Sequence, residues 1–273
     1  MMTLETRDHG AAEINAILAE RYLAVLARHP LAEIAQSELP GILSGVFLPV
    51  VDDAYLQSKV RVMLVGQEPR AWGAGLHTLA ENSSPAVLRA YVHSQMAAYR
   101  KFAPTPPGRS RFRQFHERLH ARLRSHIGPN RDAIVWANLL CMSRKRASPC
   151  ESKKIGEIAA LSRELLDVQF AVLQPQLVVF ATGYGYDPFL KKQIGEYQTL
   201  PGLKPKQYWP FDVRHLQFQA WRVRHPRRLT RDIRNELLDA VCAAAGARDH
   251  GQAENRLDSA GPQVRPSFLS LTE

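Results

Sequence analysis

Four short apolar runs, each followed by a polar group at its end, constrain this chain more than any other feature. Val62–Val65 is apolar without alternation and runs into Gly66, Gln67 and Glu68. Ala133–Asn138 ends in an asparagine, Leu177–Thr182 in Thr182-Gly183-Tyr184-Gly185, and Phe218–Val223 in Arg224-His225-Pro226. A short apolar run that does not alternate is the pattern of a strand buried on both faces, as in a parallel sheet. The stretches between the runs carry helical periodicity. Phe112, Phe115, Leu119, Leu123 and Ile127 recur at helical spacing, as do Ile155, Ile158, Leu161, Leu165 and Val168. Strands separated by helices predict an α/β fold, a three-layer α/β/α arrangement around a central four-stranded parallel sheet.

Parallel strands share one carboxyl edge, and ligand sites in open α/β sheets lie beyond that edge. The groups at the strand ends are therefore expected to converge: one carboxylate (Glu68), one carboxamide (Asn138) and one imidazole (His225). Read singly, each has a plain explanation as a turn or loop residue. Their coincidence on four successive strands makes the site. Glu68 can orient water or stabilise a developing cation. Asn138 offers a donor beside an acceptor, which suits the edge of a nucleobase. His225 can donate to an oxygen gaining negative charge. No serine or cysteine is paired with a base, which argues against covalent acyl chemistry. No GxxxxGK[ST] or GxGxxG run is present, which argues against a P-loop or a dinucleotide site.

Around this core, Ala11–Arg28 reads as an amphipathic helix within a helical extension covering about residues 1–60. Leu31–Ser37 reads as a short helix and Val46–Tyr55 as a connector lining the sheet. Gly73–Ser84 reads as a long functional loop, and Pro85 opens a helix reaching Phe102. Ser148, Pro149 and Glu151 read as a capping box that starts the next helix. Lys191–Gln207 reads as an excursion of turns. A single domain is expected over residues 1–245, followed by a disordered, polar tail over 246–273.

The net charge of +10 favours a polyanionic partner. Arg111, Arg113, Arg118, Arg122 and Arg124 share one predicted helix, either as a solvated face or as a phosphate-facing one. Cys141, Cys150 and Cys242 form no metal-ligand spacing, so no metal is expected. No apolar run is long enough for a membrane helix, and the N-terminus lacks a basic-then-apolar leader. The expectation is a cytoplasmic protein with no membrane partner.

With these residues in place, the chain from Val62 to Leu229 resembles the uracil-DNA glycosylase superfamily. Gly66-Gln67-Glu68-Pro69 is similar to the family's water-activating motif, GQDP in its most familiar branch. Asn138 is similar to the uracil-recognising asparagine. His225-Pro226-Arg227-Arg228-Leu229 is similar to the HPSPL motif, whose histidine faces a uracil carbonyl and whose leucine wedges into the base stack. The resemblance implies base excision on uracil-containing or damaged DNA by a monomer without cofactor. Glu68 and His225 would be catalytic. Gln67, Asn138, Arg70 and Trp72 would contact the base, and Arg224, Arg227, Arg228 and Leu229 would contact the DNA. The chain departs from the pattern in several places. Glu68 replaces the aspartate, Arg70 stands where the familiar branch has a tyrosine that excludes thymine's methyl group, and the base-stacking phenylalanine has no counterpart near Ala80-Glu81, leaving Trp72 as its candidate. The other reading is a non-catalytic nucleic-acid-binding protein that keeps a glycosylase-like fold. A hydrolase for free nucleosides is a third.

Overall fold

The structure, a computed structural model, describes residues 10–79, 84–127 and 134–258. Its elements run α1 (Ala11–Leu26), α2 (Leu31–Gln36), α3 (Asp53–Leu56), β1 (Val62–Gly66), α4 (Pro85–Phe102), α5 (Arg111–Ile127) and β2 (Ile134–Asn138). They continue with α6 (Ile155–Leu173), β3 (Leu177–Phe180), α7 (Asp187–Ile194), β4 (Gln198–Thr199), β5 (Tyr208–Val213), β6 (Phe218–Val223) and α8 (Arg231–Asp258).

The sheet order is β2-β1-β3-β6-β5-β4. The pairs β1·β2, β1·β3 and β3·β6 are parallel. The pairs β5·β6 and β4·β5 are antiparallel. The sheet is therefore six-stranded and mixed, not the four-stranded parallel sheet expected from the sequence. The difference lies in the stretch read as an excursion and in Tyr208–Val213. Pro210 removes a ladder donor and Asp212 is polar, so this run does not read as a strand. Its aromatic residues Tyr208, Trp209 and Phe211 are nevertheless all buried, and they seat it beside β6.

Both faces of the sheet are covered, which is why its strands do not alternate. Met63, Val65, Val135, Ala137, Val178 and Phe180 join one core with residues of α1, α4 and α6. Val62, Leu64, Ile134, Leu177, Val179 and Trp221 join a second core with Phe115, Leu119 and Leu123 of α5 and Ile233, Leu237 and Val241 of α8. The outer edge of β2 is covered by side chains. The Trp136 N–H donates to the Tyr99 hydroxyl at 3.1 Å, and His116 Nε2 lies 3.4 Å from the Ile134 carbonyl. Such cover blunts an otherwise open strand edge.

The described part of the N-terminal helical extension, residues 10–60, packs into the first core: Ile14, Leu18, Tyr22 and Leu26 are fully or almost fully buried, and Val46–Val51 is buried throughout. Two boundaries differ from the sequence reading. Pro149–Glu151 forms a separate 3-10 turn, with Ser148 Oγ accepting from the Cys150 N–H, and α6 starts only at Ile155. Helix α8 passes through Gly246 to Asp258 instead of giving way to a disordered tail there. A helical glycine costs only about 1 kcal/mol, and Ala243, Ala244, Ala245 and Ala247 surround this one. Residues 259–273 lie outside the described residues, as do the turn at 128–130 and the Ala80-Glu81 region. Among the described residues, no helix is long and apolar enough to cross a membrane.

Candidate active site

The carboxyl ends of the parallel strands are locked together by main-chain hydrogen bonds. Gly66 and Asn138 are partners in register. Beyond the strands the ladder continues, with Leu139 N–H donating to the Gly66 carbonyl and Leu140 N–H to the Gln67 carbonyl, at 2.9 and 2.8 Å. The Gln67 side chain donates from Nε2 to the Thr182 carbonyl at 2.6 Å, tying the end of β1 to the end of β3. Gln67 is thereby a brace. A side chain at Gly66 would displace its neighbours: a Cβ there would lie 2.5 Å from Asn138 Oδ1 and 3.0 Å from the Phe112 ring.

A cavity of about 1080 Å³ opens at this edge. That is at the upper end of small-molecule pockets, and larger than one base requires. Gln67, Glu68, Arg70, Trp72, Asn138, His225 and Arg227 all line it. Of the other residues singled out in the sequence, Arg228 is exposed outside it, Arg224 is half-buried, and Leu229 packs half-buried against the second core. Glu68 is the one carboxylate among the lining residues, against Arg70, Lys101, Arg109, Arg111, Arg113 and Arg227. A cavity with that balance favours an anionic ligand.

Glu68 is mostly buried, and its Oε2 accepts a hydrogen bond from the Tyr186 hydroxyl at 2.5 Å. Burial pushes the carboxyl above its usual range, while the Tyr186 hydrogen bond and the Arg70 charge pull it back. Burial, with the neighbouring Glu68 charge, raises the Tyr186 phenol far above its usual value, so it stays a donor.

His225 caps the turn Pro226–Arg228, its Nδ1 accepting from the Arg227 N–H at 3.3 Å. That bond places the proton of the neutral ring on Nε2. Burial, followed by the charges of Arg70, Arg227 and Arg228, lowers the imidazole to about 4. The ring is therefore a neutral donor at neutral pH. Asn138 is 5% exposed, and its Oδ1 accepts from Trp136 Nε1 at 3.3 Å. Its Nδ2 is buried without a partner among the described residues. A buried donor left unmade costs about 1–3 kcal/mol, which a ligand carbonyl would recover.

Trp72 is 6% exposed in an aromatic cluster, with ring centroids 4.5 Å from Phe47 and 5.5 Å from Phe102. It is a wall more than a contact surface. The aromatic placed against Gly66 is Phe112, in the first turn of α5, with its ring 5.3 Å from that of Trp136. Sequence periodicity assigned Phe112 to the buried stripe of α5, and nothing in that pattern separates a cavity position from a core position. Arg113 is structural. It lies over the Phe102 ring and donates to the carbonyls of Ala103, Thr105 and Pro106, holding the cavity rim in place. Tyr186 was also missed, because it follows a glycine-rich turn that reads as flexible.

Fold and site together define an α/β protein with a cationic cavity at the carboxyl edge of its parallel strands. No protein-family model and no curated protein matches the chain.

Proposed function

We propose that this protein is a DNA N-glycosylase that hydrolyses the bond between deoxyribose and uracil, or a related damaged base, with a fold of the uracil-DNA glycosylase type. The observation that carries this reading is the convergence of Glu68, Asn138 and neutral His225 on one cation-rimmed cavity. The resemblance of the strand-end motifs to that superfamily supports it. So does the parallel group β2-β1-β3-β6, although the hairpin strands β5 and β4 extend the sheet beyond four strands.

In this mechanism the target nucleotide leaves the base stack, at a cost of a few kcal/mol, and enters the cavity. The base lies against Phe112. Asn138 Nδ2 donates to a base carbonyl, and Oδ1 accepts from a ring N–H. As the C1′–N bond breaks, its electron pair moves to the base, and His225 donates from Nε2 to the carbonyl that gains charge. One preorganised donor of this kind is typically worth about 3 kcal/mol of barrier. The Glu68 carboxylate stabilises the positive charge developing on the sugar and orients a water. The water oxygen bonds to C1′, its proton passes to Glu68, and the departing base anion is protonated by solvent. Arg224, Arg227 and Arg228 hold phosphates, and Leu229 enters the gap in the stack after the turn Pro226–Arg228 moves it off the second core.

Labelled DNA carrying one uracil, single-stranded or opposite guanine or adenine, tests the reading by alkali-induced strand cleavage. Wild type is expected to release uracil and Glu68→Ala to lose that activity while keeping its DNA affinity. Salt-dependent binding without excision of uracil or other damaged bases would replace the reading with a non-catalytic nucleic-acid-binding protein.

A further inference from the structure

Outside the cavity, the basic side chains are unevenly compensated. Along α8, Arg122 of α5 pairs with Asp239, and Lys204 pairs with Glu236. At the other end of the same helix pair the pattern stops. Arg118, Arg228 and Arg231 are exposed and Arg234 is half-buried. None has an ion-pair partner among the described residues. Of the neighbouring carboxylates, Glu236 is taken by Lys204, while Glu117 and the exposed Asp232 form no ion pair with these arginines among the described residues.

These arginines lie together because α5 and α8 pack through the second core, Leu119 and Leu123 against Ile233 and Leu237. The turn Pro226–Arg228, which leads into α8, also packs against α5. Burial together with the charges of Arg118 and Arg231 holds the Arg234 guanidinium below its usual range, as close like charges do. Arg111, seven residues before Arg118 and so on the same helix face, lines the cavity, as does Arg227. The uncompensated charge is thus continuous with the cavity mouth.

We propose that Arg118, Arg228, Arg231 and Arg234 form a track that carries the phosphodiester backbone of a DNA strand away from the cavity mouth. Crowded like charges without carboxylate partners oppose folding, and a chain of phosphates relieves that repulsion. The track rests on the nucleic-acid part of the function proposed above and is independent of its chemistry.

The test is equilibrium binding of uracil-free duplex DNA, two helical turns long, read by fluorescence anisotropy between roughly 50 and 200 mM salt. Each lost phosphate contact lowers the salt slope by about one unit. The triple variant Arg118→Ala/Arg231→Ala/Arg234→Ala is expected to lower the slope by about 2–3 units. The corresponding triple lysine variant, which keeps the charge, is expected to keep the wild-type slope. Thermal melting of the alanine variant should match or exceed that of wild type, because repulsion is removed. If it does not fold, Arg118→Ala and Arg231→Ala alone should each lower the slope by about one unit. An unchanged slope in the alanine variants, an equal fall in the lysine variant, or no DNA binding by wild type overturns the track. Excision separates the two proposals. Uracil release with an unchanged slope leaves the glycosylase without the track, and a lowered slope without release leaves the track without the glycosylase.

Discussion

The two halves of the sheet bury similar side chains for different ends. In the parallel half, β2, β1, β3 and β6 all finish at one edge, and the polar groups beyond it are held by few but specific bonds: Gln67 to Thr182, Tyr186 to Glu68, Trp136 to Asn138. In the antiparallel half, β5 and β4 place no residue in the cavity. Their aromatic residues instead pack one another, with Trp209 and Phe211 ring centroids 4.5 Å apart and Tyr197 4.9 Å from Trp209. One half spends its polar groups on a site, and the other closes the sheet. A strand's direction decides which it can do, since only parallel neighbours collect their carboxyl ends on one side.

Substitutions on the two sides should therefore separate activity from stability. The largest effect is expected for Glu68→Gln. The amide keeps the shape and can still accept from Tyr186, but it carries no charge and takes no proton. Uracil release should fall by about 10²–10⁴-fold, the usual contribution of a positioned acid–base group. DNA affinity and melting temperature should hold. A variant that retained most of its activity would remove Glu68 from the centre of the site.

The mirror-image experiment is Trp209→Ala on the antiparallel side. Trp209 is 5% exposed, donates from Nε1 to Thr199 Oγ1 at 3.1 Å, and has the Arg222 guanidinium over its ring. Truncating a buried aromatic costs about 3–5 kcal/mol. Chemical denaturation should show that loss, while turnover per folded molecule below the melting transition stays near wild type. If turnover collapsed as well, the two halves would not be separable.

A smaller effect, confined to the site, is expected for Gly66→Ala. The added methyl meets Asn138 Oδ1 and the Phe112 ring, so the carboxamide or the ring must move. Misplacing a positioning group lowers the rate without unfolding the chain. About a tenfold loss in kcat/KM is expected, with a melting temperature near that of wild type.

The same contrast explains what was legible in the sequence. The parallel half could be read because strands buried on both faces leave continuous apolar runs, and because each run ended in a chemically distinctive residue. Glu68, Asn138 and His225 stand out in that way, and all three line one cavity. The antiparallel half could not be read, because Pro210 and Asp212 break the strand pattern while the packing that seats β5 comes from partners distant in sequence. Phe112 was hidden for the opposite reason: its position fits the buried stripe of α5, and only its proximity to Gly66, distant in sequence, marks it as a cavity residue. Helix α8 was cut short by Gly246, whose small penalty the surrounding alanines outweigh. Tyr186 lay in a stretch whose glycines signal mobility, yet the short turn after β3 leads directly into α7, which Pro188 opens near its first position.

Tyr186 offers the finest test, since it touches the site from the loop leading out of the parallel half. Its hydroxyl donates to Glu68 and so favours the ionised carboxylate, against the burial that disfavours it. In Tyr186→Phe that support is gone, and the Glu68 carboxyl rises further. In the proposed mechanism Glu68 acts in its ionised form, so the acid limb of the pH–rate profile should move to higher pH. The plateau above the limb should change by only a few-fold, and Glu68→Gln should show no such limb at all. His225, lowered to about 4, is already neutral where this limb falls and does not account for it. A limb that stays in place in Tyr186→Phe, with the plateau lowered at every pH, would make the tyrosine a packing residue and leave the Glu68 carboxyl to burial and Arg70 alone.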